Sequence, residues 1–324
     1  MKHPFAYYIN QYIEELDGLY APITVAARRK RLIQFKNIFY EFYEEKKVST
    51  ISPRLLTVAD ILVFFKYRKE RVSKETLQDD IAFLGGLLEF CNNGAVVEFK
   101  KKYRKFLPKT HHSPLPPLTN EEYNIILNHA NSVPSDDWFR MRNYAVVLFS
   151  LCGGMRPLEI RNATIDNVLI EKGRMKVWLN VVKGMDTYGE QRWSYIHPSA
   201  FPFLSRYIEG RKQYLNVSKL ERIGLIPNIG DEREFISEKT LIKLKNYVCE
   251  DVGFDFDIRK CRRTYAQRCV DEGIQPSDLQ ILMGHSDPKT TYDNYARKRP
   301  ENVRNDVYKI WENSPKEDKR REGM

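Results

Sequence analysis

At 324 residues the chain is too long for one small domain and suits two, and its 42% hydrophobic content is enough to bury real cores. No run of about 18 apolar residues occurs, which argues against a membrane span, and the opening MKHPFAYYIN lacks the apolar centre of a signal peptide. The net charge of +10 is uneven: residues 1–110 hold 20 basic and 13 acidic residues and the remainder 33 and 30, which suits a polyanionic partner. Cys91, Cys152, Cys249, Cys261 and Cys269 fall in apolar or helical patterns without a Cys-x-x-Cys pair. Neither disulfides nor a thiolate zinc site is expected, and a reducing cytoplasm is the expected compartment.

From 25 to 45, Leu32, Phe35, Phe39 and Phe42 recur at spacings of three and four, one apolar face of a helix, with Arg28, Arg29, Lys30 and Arg31 crowded at its start. TVADILVFFKYRKERV reads as a further helix, and 73–91 as another, with Leu77, Ile81, Leu84, Leu88 and Cys91 on one face. Residues 1–107 therefore read as a small helical bundle whose apolar stripes are core. The basic run FKKKYRKF (99–106) fits a solvated helix end or a phosphate contact. Four prolines between 108 and 117 mark 108–118 as a linker. His111 and His112 within it have no further ligand at metal-binding spacing and are expected to be solvated.

The second domain, 119–324, opens on Thr119-Asn120-Glu121-Glu122, a capping box followed by Tyr123, Ile126, Leu127 and Ala130 on one face. A long helix through DDWFRMRNYAVVLFSL stops at Gly153-Gly154. Short β-rich runs at Val168–Ile170, Met175–Val182 and Trp193–Ile196, broken by EKG and KGMDTYGE, predict a small antiparallel sheet of two or three strands. Helices resume from 198. The expected fold is mainly α, an N-terminal helical bundle followed by a helical domain with a small antiparallel β-sheet.

Four separated segments carry groups suited to chemistry. CGGMRPLEIRNAT puts Arg156 on a turn after a glycine pair, with Pro157 at a helix start. VVKGMDTYGEQRW puts Lys183 near the tip of a hairpin. DIRKCRRTYAQRCVDEG opens a helix with Arg259 and Arg262 three residues apart, on one face. LMGHSDPKTTYDNYARKRP supplies His285, Tyr292 and Tyr295. Each has an ordinary role open to it: Arg156 capping a helix or pairing with Glu159, Lys183 as hairpin surface, the arginines as a basic helix face, His285 as a cap.

Together and in this order, GGMRPLEI, VVKG, RKCRRTYA and LMGHSDPKTT…YAR resemble the tyrosine recombinase (phage integrase) family across 119–297, and residues 1–107 resemble its N-terminal core-binding domain in layout. The resemblance implies a two-domain clamp around double-stranded DNA and a site-specific recombinase acting as a homotetramer on DNA, monomeric or dimeric when free. It implies no cofactor. A tyrosine phenolate attacks a backbone phosphate, giving a 3′-phosphotyrosine bond and a free 5′-hydroxyl, and the bond energy kept in the adduct makes ATP and metal unnecessary. By the same match Arg156 and Arg262 answer the charge of the transition state, Lys183 protonates the leaving 5′-oxygen, and His285 donates a hydrogen bond to the scissile phosphate.

Two positions depart from the family pattern. The usual His-x-x-Arg is here Arg259-Lys260-Cys261-Arg262. A permanently protonated arginine cannot act as a base, which leaves Arg259 to hold phosphate or to lower the tyrosine's pKa. The usual interval of nine residues from His285 reaches Asn294, which cannot attack phosphate. Tyr295, one position late and followed by Ala-Arg, is the expected nucleophile, with Tyr292 as the alternative. A type IB-like topoisomerase and a catalytically degenerate DNA-binding or architectural protein remain the rival functions. Near the C-terminus, Val307, Ile310 and Trp311 could anchor on a neighbouring protomer or on the same chain.

Overall fold

The chain divides into two compact units, Met1–Ser113 and Pro114–Met324, and the computed structural model describes residues 4–108, 116–182, 184 and 189–285. In the first unit five helices follow one another: α1 (Pro4–Leu16), α2 (Pro22–Glu44), α3 (Val58–Lys69), α4 (Lys74–Phe90) and α5 (Ala95–Lys102). The apolar stripe of α2 is buried as its spacing requires, and so is that of α4. Phe39 stacks between Phe5 and Phe64, with ring centroids 5.4 and 5.2 Å away, so one aromatic column ties α1, α2 and α3 together. Helix α1 has no counterpart among the expected elements, although Phe5, Ile9, Ile13 and Leu16 bury at helical spacing. Helix α2 begins at Pro22, so Arg28 to Arg31 fall in its second and third turns and not at its start.

Two carboxylates are buried in this bundle, Asp60 in the capping box of α3 and Asp80. Asp80 on α4 is fully buried and pairs with Arg31 of α2 at 3.0 Å and Arg68 of α3 at 2.6 Å. Part of the basic cluster on α2 is thus committed internally. The run after Phe99 differs: Lys100, Lys101 and Lys102 occupy the last turn of α5, where cations complement the helix dipole, and with Arg104 and Lys105 they stay exposed.

The second unit contains α6 (Asn120–Ser132), α7 (Trp138–Leu151), α8 (Pro157–Asn162), three strands, α9 (Phe201–Ser218), α10 (Glu238–Val252), α11 (Ile258–Asp271) and α12 (Pro276–Met283). The Thr119 capping box forms with both of its hydrogen bonds. Helix α7 is the centre: all residues from Tyr144 to Leu151 are buried, and α9, α10 and α11 pack around it. Strands β1 (Val168–Glu171), β2 (Arg174–Leu179) and β3 (Arg192–Tyr195) form an antiparallel sheet in sequence order, with Val168 opposite Val177 and Trp178 opposite Trp193. Met175, Val177 and Leu179 face the core. The same alternation turns Arg192 and Ser194 of β3 inward. No helix among the described residues is long and apolar enough to cross a membrane.

Replacing Asp80 with alanine leaves two part-buried arginines without their carboxylate. The expected cost is about 3 kcal/mol of stability, read as a lower urea midpoint in far-UV circular dichroism at an unchanged slope.

Candidate active site

Three short structural devices bring distant side chains together. After α7 the chain turns at Gly154, whose φ of +65° and close approach to the Tyr265 ring (2.5 Å from where a Cβ would sit) exclude a side chain. This turn delivers Arg156 to the N-cap of α8, where Pro157 starts the helix and the Arg156 backbone amide donates to the Glu159 carboxylate at 2.7 Å. Helix α11 starts on Asp257, whose carboxylate caps the Lys260 amide, and its second turn carries Arg262 inward. Helix α12 ends at Gly284 with φ +57°, a left-handed cap that turns the chain into His285.

These devices converge on the carboxylate of Glu159, which is only 1% exposed. Arg192 grips it through two hydrogen bonds, Nη1 to Oε1 and Nη2 to Oε2, both 2.9 Å. Arg156 Nη1 donates to Oε1 at 2.9 Å, and Arg262 Nη1 stands 3.8 Å from Oε2. The arginines also bind the backbone of the surrounding turns: Arg156 donates to the Gly284 carbonyl at 2.9 Å, Arg192 to the Leu282 carbonyl at 3.1 Å, and Arg262 to the carbonyls of Gly154 and Met283. His285 completes the group, with Nε2 3.5 Å from Arg262 Nη2. A cavity of about 320 Å³ beside them is lined by Arg192, Gln280, Gly284 and His285 among others.

Burial alone would raise the Glu159 carboxyl, but hydrogen bonds from Arg192 and the charges of Arg192, Arg262 and Arg156 overcome it and bring its pKa down to about 2. His285 is driven the same way, by burial first and then by Arg262, Arg156 and Arg192, to about 3, so the imidazole is neutral at physiological pH. Three guanidiniums against one carboxylate leave the cluster with two positive charges in excess. Burial pushes the pKa of the neighbouring Tyr265 phenol well up, and its hydroxyl donates to the Tyr195 carbonyl at 3.2 Å.

Of the residues singled out in the sequence, Arg156, Arg262 and His285 meet in this cluster. Arg259 does not join them: it is exposed on the first turn of α11, three residues before the buried Arg262. The shared face expected for these two arginines therefore splits into an outward and an inward member. Lys183, Tyr292, Tyr295, His111, His112 and the Val307, Ile310 and Trp311 group lie outside the described residues. Two central groups escaped the sequence reading as functional residues, Glu159 and Arg192. For Arg192 a signal exists: counting back by twos from the buried Ile196 through Ser194 puts it on the inward face of its strand.

Residues 117–302, more than half of the chain, match the sequence model of the phage integrase family. Among curated proteins the chain is similar to tyrosine recombinase XerA of Pyrococcus horikoshii, 26% identical over 241 residues that span 72% of this chain and 74% of the relative. It is also similar to tyrosine recombinase XerC of Rickettsia bellii, 23% identical over 78% of this chain and 80% of the relative. Among solved structures, the XerH site-specific recombinase bound to palindromic difH substrate in a post-cleavage complex aligns with a TM-score of 0.67, at 17% identity over 90% of this chain and 80% of that one. A lambda integrase dimer bound to a COC′ core site aligns with a TM-score of 0.59, at 15% identity over 88% of this chain and 96% of that one.

Glu159→Ala strands three buried or part-buried cations, with an expected loss of about 3–5 kcal/mol in chemical denaturation. The folded carboxyl lies below its ordinary value of 4.5, so its contribution is complete above that pH and drains away as pH falls toward the folded value. Between about pH 4.5 and about pH 3 the wild type should lose roughly 2 kcal/mol through this group, a loss missing from Glu159→Gln.

Proposed function

The chain belongs to the phage integrase family and is a site-specific recombinase, a DNA strand-transferring enzyme, and we propose that it cuts and rejoins duplex DNA by transesterification through a 3′-phosphotyrosine intermediate. The observation that carries this reading is the charge of the cluster. A phosphodiester bears one negative charge, and its displacement gathers more on the non-bridging oxygens. Two positive charges in excess, held in place before the substrate arrives, favour that transition state over the ground state. Arg156 is the better exposed of the paired guanidiniums, with 23% of its side chain open, and it supplies the direct phosphate contact in this proposal, with Arg262 behind it.

His285 fits the same account. Arginine can only donate, so the ring nitrogen facing Arg262 is an acceptor in the free protein. A phosphate entering the cluster offsets the arginine charges that disfavour the imidazolium, which lets that nitrogen carry a proton and donate to the phosphate. By match to the family, Lys183 protonates the leaving 5′-oxygen and Tyr295 is the nucleophile, with Tyr292 the alternative. Arg259, exposed and always protonated, is proposed to contact DNA phosphate or to favour the phenolate electrostatically, not to take a proton.

The DNA-bound state of the XerH and lambda integrase relatives supports duplex DNA as the substrate. The exposed Lys100, Lys101, Lys102, Arg104 and Lys105 are proposed to add phosphate contacts from the first unit. The working assembly is proposed to be a homotetramer on DNA that clamps the duplex between the two domains, in the cytoplasm.

Incubation with a nicked duplex, selected by the protein from a randomised pool, should trap a denaturant-resistant protein–DNA adduct. Tyr295→Phe should abolish the adduct and Tyr292→Phe retain it. Arg156→Ala should slow its formation by about 10²–10³-fold, as for the loss of one oxyanion donor. A protein that selects DNA yet forms no adduct would be a binding factor and not a recombinase.

A further inference from the structure

Arg192 is absent from the residues that the family match assigns, yet among the described residues its guanidinium alone holds both oxygens of Glu159. We propose that Arg192 is a positioning residue for strand transfer: it sets the orientation of Arg156 through Glu159 and the presentation of His285 through the turn after α12. The inference rests on the transesterification reading above.

A connected set of contacts carries it. Both terminal nitrogens of Arg192 are satisfied by Glu159, and the same two carboxylate oxygens also hold the Arg156 backbone and guanidinium. A rotation of Glu159 therefore moves Arg156. The third nitrogen, Nε, donates to the Leu282 carbonyl at 3.1 Å, three residues before His285. The side chain then lies flat against Gly284, where an added Cβ would fall 2.9 Å from Cδ, Nε and Nη1. Arg192 so abuts the left-handed turn that aims His285, and Gly284 also accepts from Arg156.

The origin of Arg192 matters as well. It opens β3, and the next inward residue, Ser194, donates to the Gly153 carbonyl at 2.7 Å. One short strand thus fastens the sheet to the glycine turn before Arg156, to the carboxylate beneath it and to the end of α12. The segment joining β2 to β3 contains Lys183, so Arg192 also fixes the downstream end of the stretch that carries the proposed general acid. Only arginine can do this: lysine keeps the charge but has neither the fork for two carboxylate oxygens nor the third in-plane donor.

The direct test compares single-turnover adduct formation on the selected nicked duplex with affinity for the same duplex. Arg192→Lys should slow adduct formation by about 10–100-fold, the scale of a misaligned reacting group, with Kd held within about threefold. Because a lone Arg192→Met change leaves Glu159 without its principal partner, the double variant Arg192→Met/Glu159→Gln supplies the second arm. Removing both charges spares an unpartnered carboxylate but leaves Arg156 and Arg262 without the Glu159 charge, so this protein should melt below wild type yet above the lone Arg192→Met variant, stay folded at the assay temperature and still show the slow rate. An Arg192→Lys protein as fast as wild type, or a double variant restored to wild-type rate, would overturn the positioning role while leaving the recombinase reading intact. Wild type that forms no adduct would overturn both.

Discussion

The second unit depends on one buried carboxylate. Arg156, Arg192 and Arg262 come from a helix cap, a strand and a helix that are separated by up to 106 positions in the chain, and unpartnered they would repel one another inside a desolvated site. Glu159 turns that repulsion into attraction. Its neighbours hold it ionised against its own burial, and it holds them within a few ångströms. Buried ion clusters are poor sources of net stability compared with apolar packing. Here the cluster fixes one arrangement of charged groups, the preorganisation that the proposed transesterification would draw on.

The excess positive charge has a consequence for specificity between states. A neutral ligand gains nothing from it, and a phosphodiester gains less than its transition state does. The neutral His285 follows first from its burial and then from the same field, since the neighbouring arginines disfavour its proton. The backbone carries part of the load too. The carbonyls of Gly154, Leu282, Met283 and Gly284 accept from the three arginines, so the guanidiniums are oriented by the turns and not by Glu159 alone.

Much of this architecture is legible in the amino-acid order, because burial imposes period. The stripes of α2, α4 and α6 read directly as faces, and the glycine pair, Pro157 and the Thr119 box mark helix ends through local chemistry. Arg156, Arg262 and His285 stand out only through their order along the chain. Glu159 and Arg192 do not stand out, since a glutamate in a first helical turn and an arginine in a short strand both have ordinary surface roles. Their function arises from long-range geometry: 33 positions separate them, and only folding the sheet onto α8 joins them. Arg259 shows the converse. Its spacing from Arg262 implies a shared face, but the first turn of α11 is open where the second is enclosed.

In the proposed reaction this charged cluster serves attack by a tyrosine just beyond His285. The most direct measurement is the site of the covalent bond, read by mass spectrometry of the nuclease-trimmed, trypsin-digested adduct. Cleavage after Lys289 and Arg297 releases the peptide TTYDNYAR, which contains both candidate tyrosines. A nucleotide remnant is expected on Tyr295, joined through its 3′-phosphate. A remnant on any residue outside this peptide, or a 5′-linked one, would contradict it.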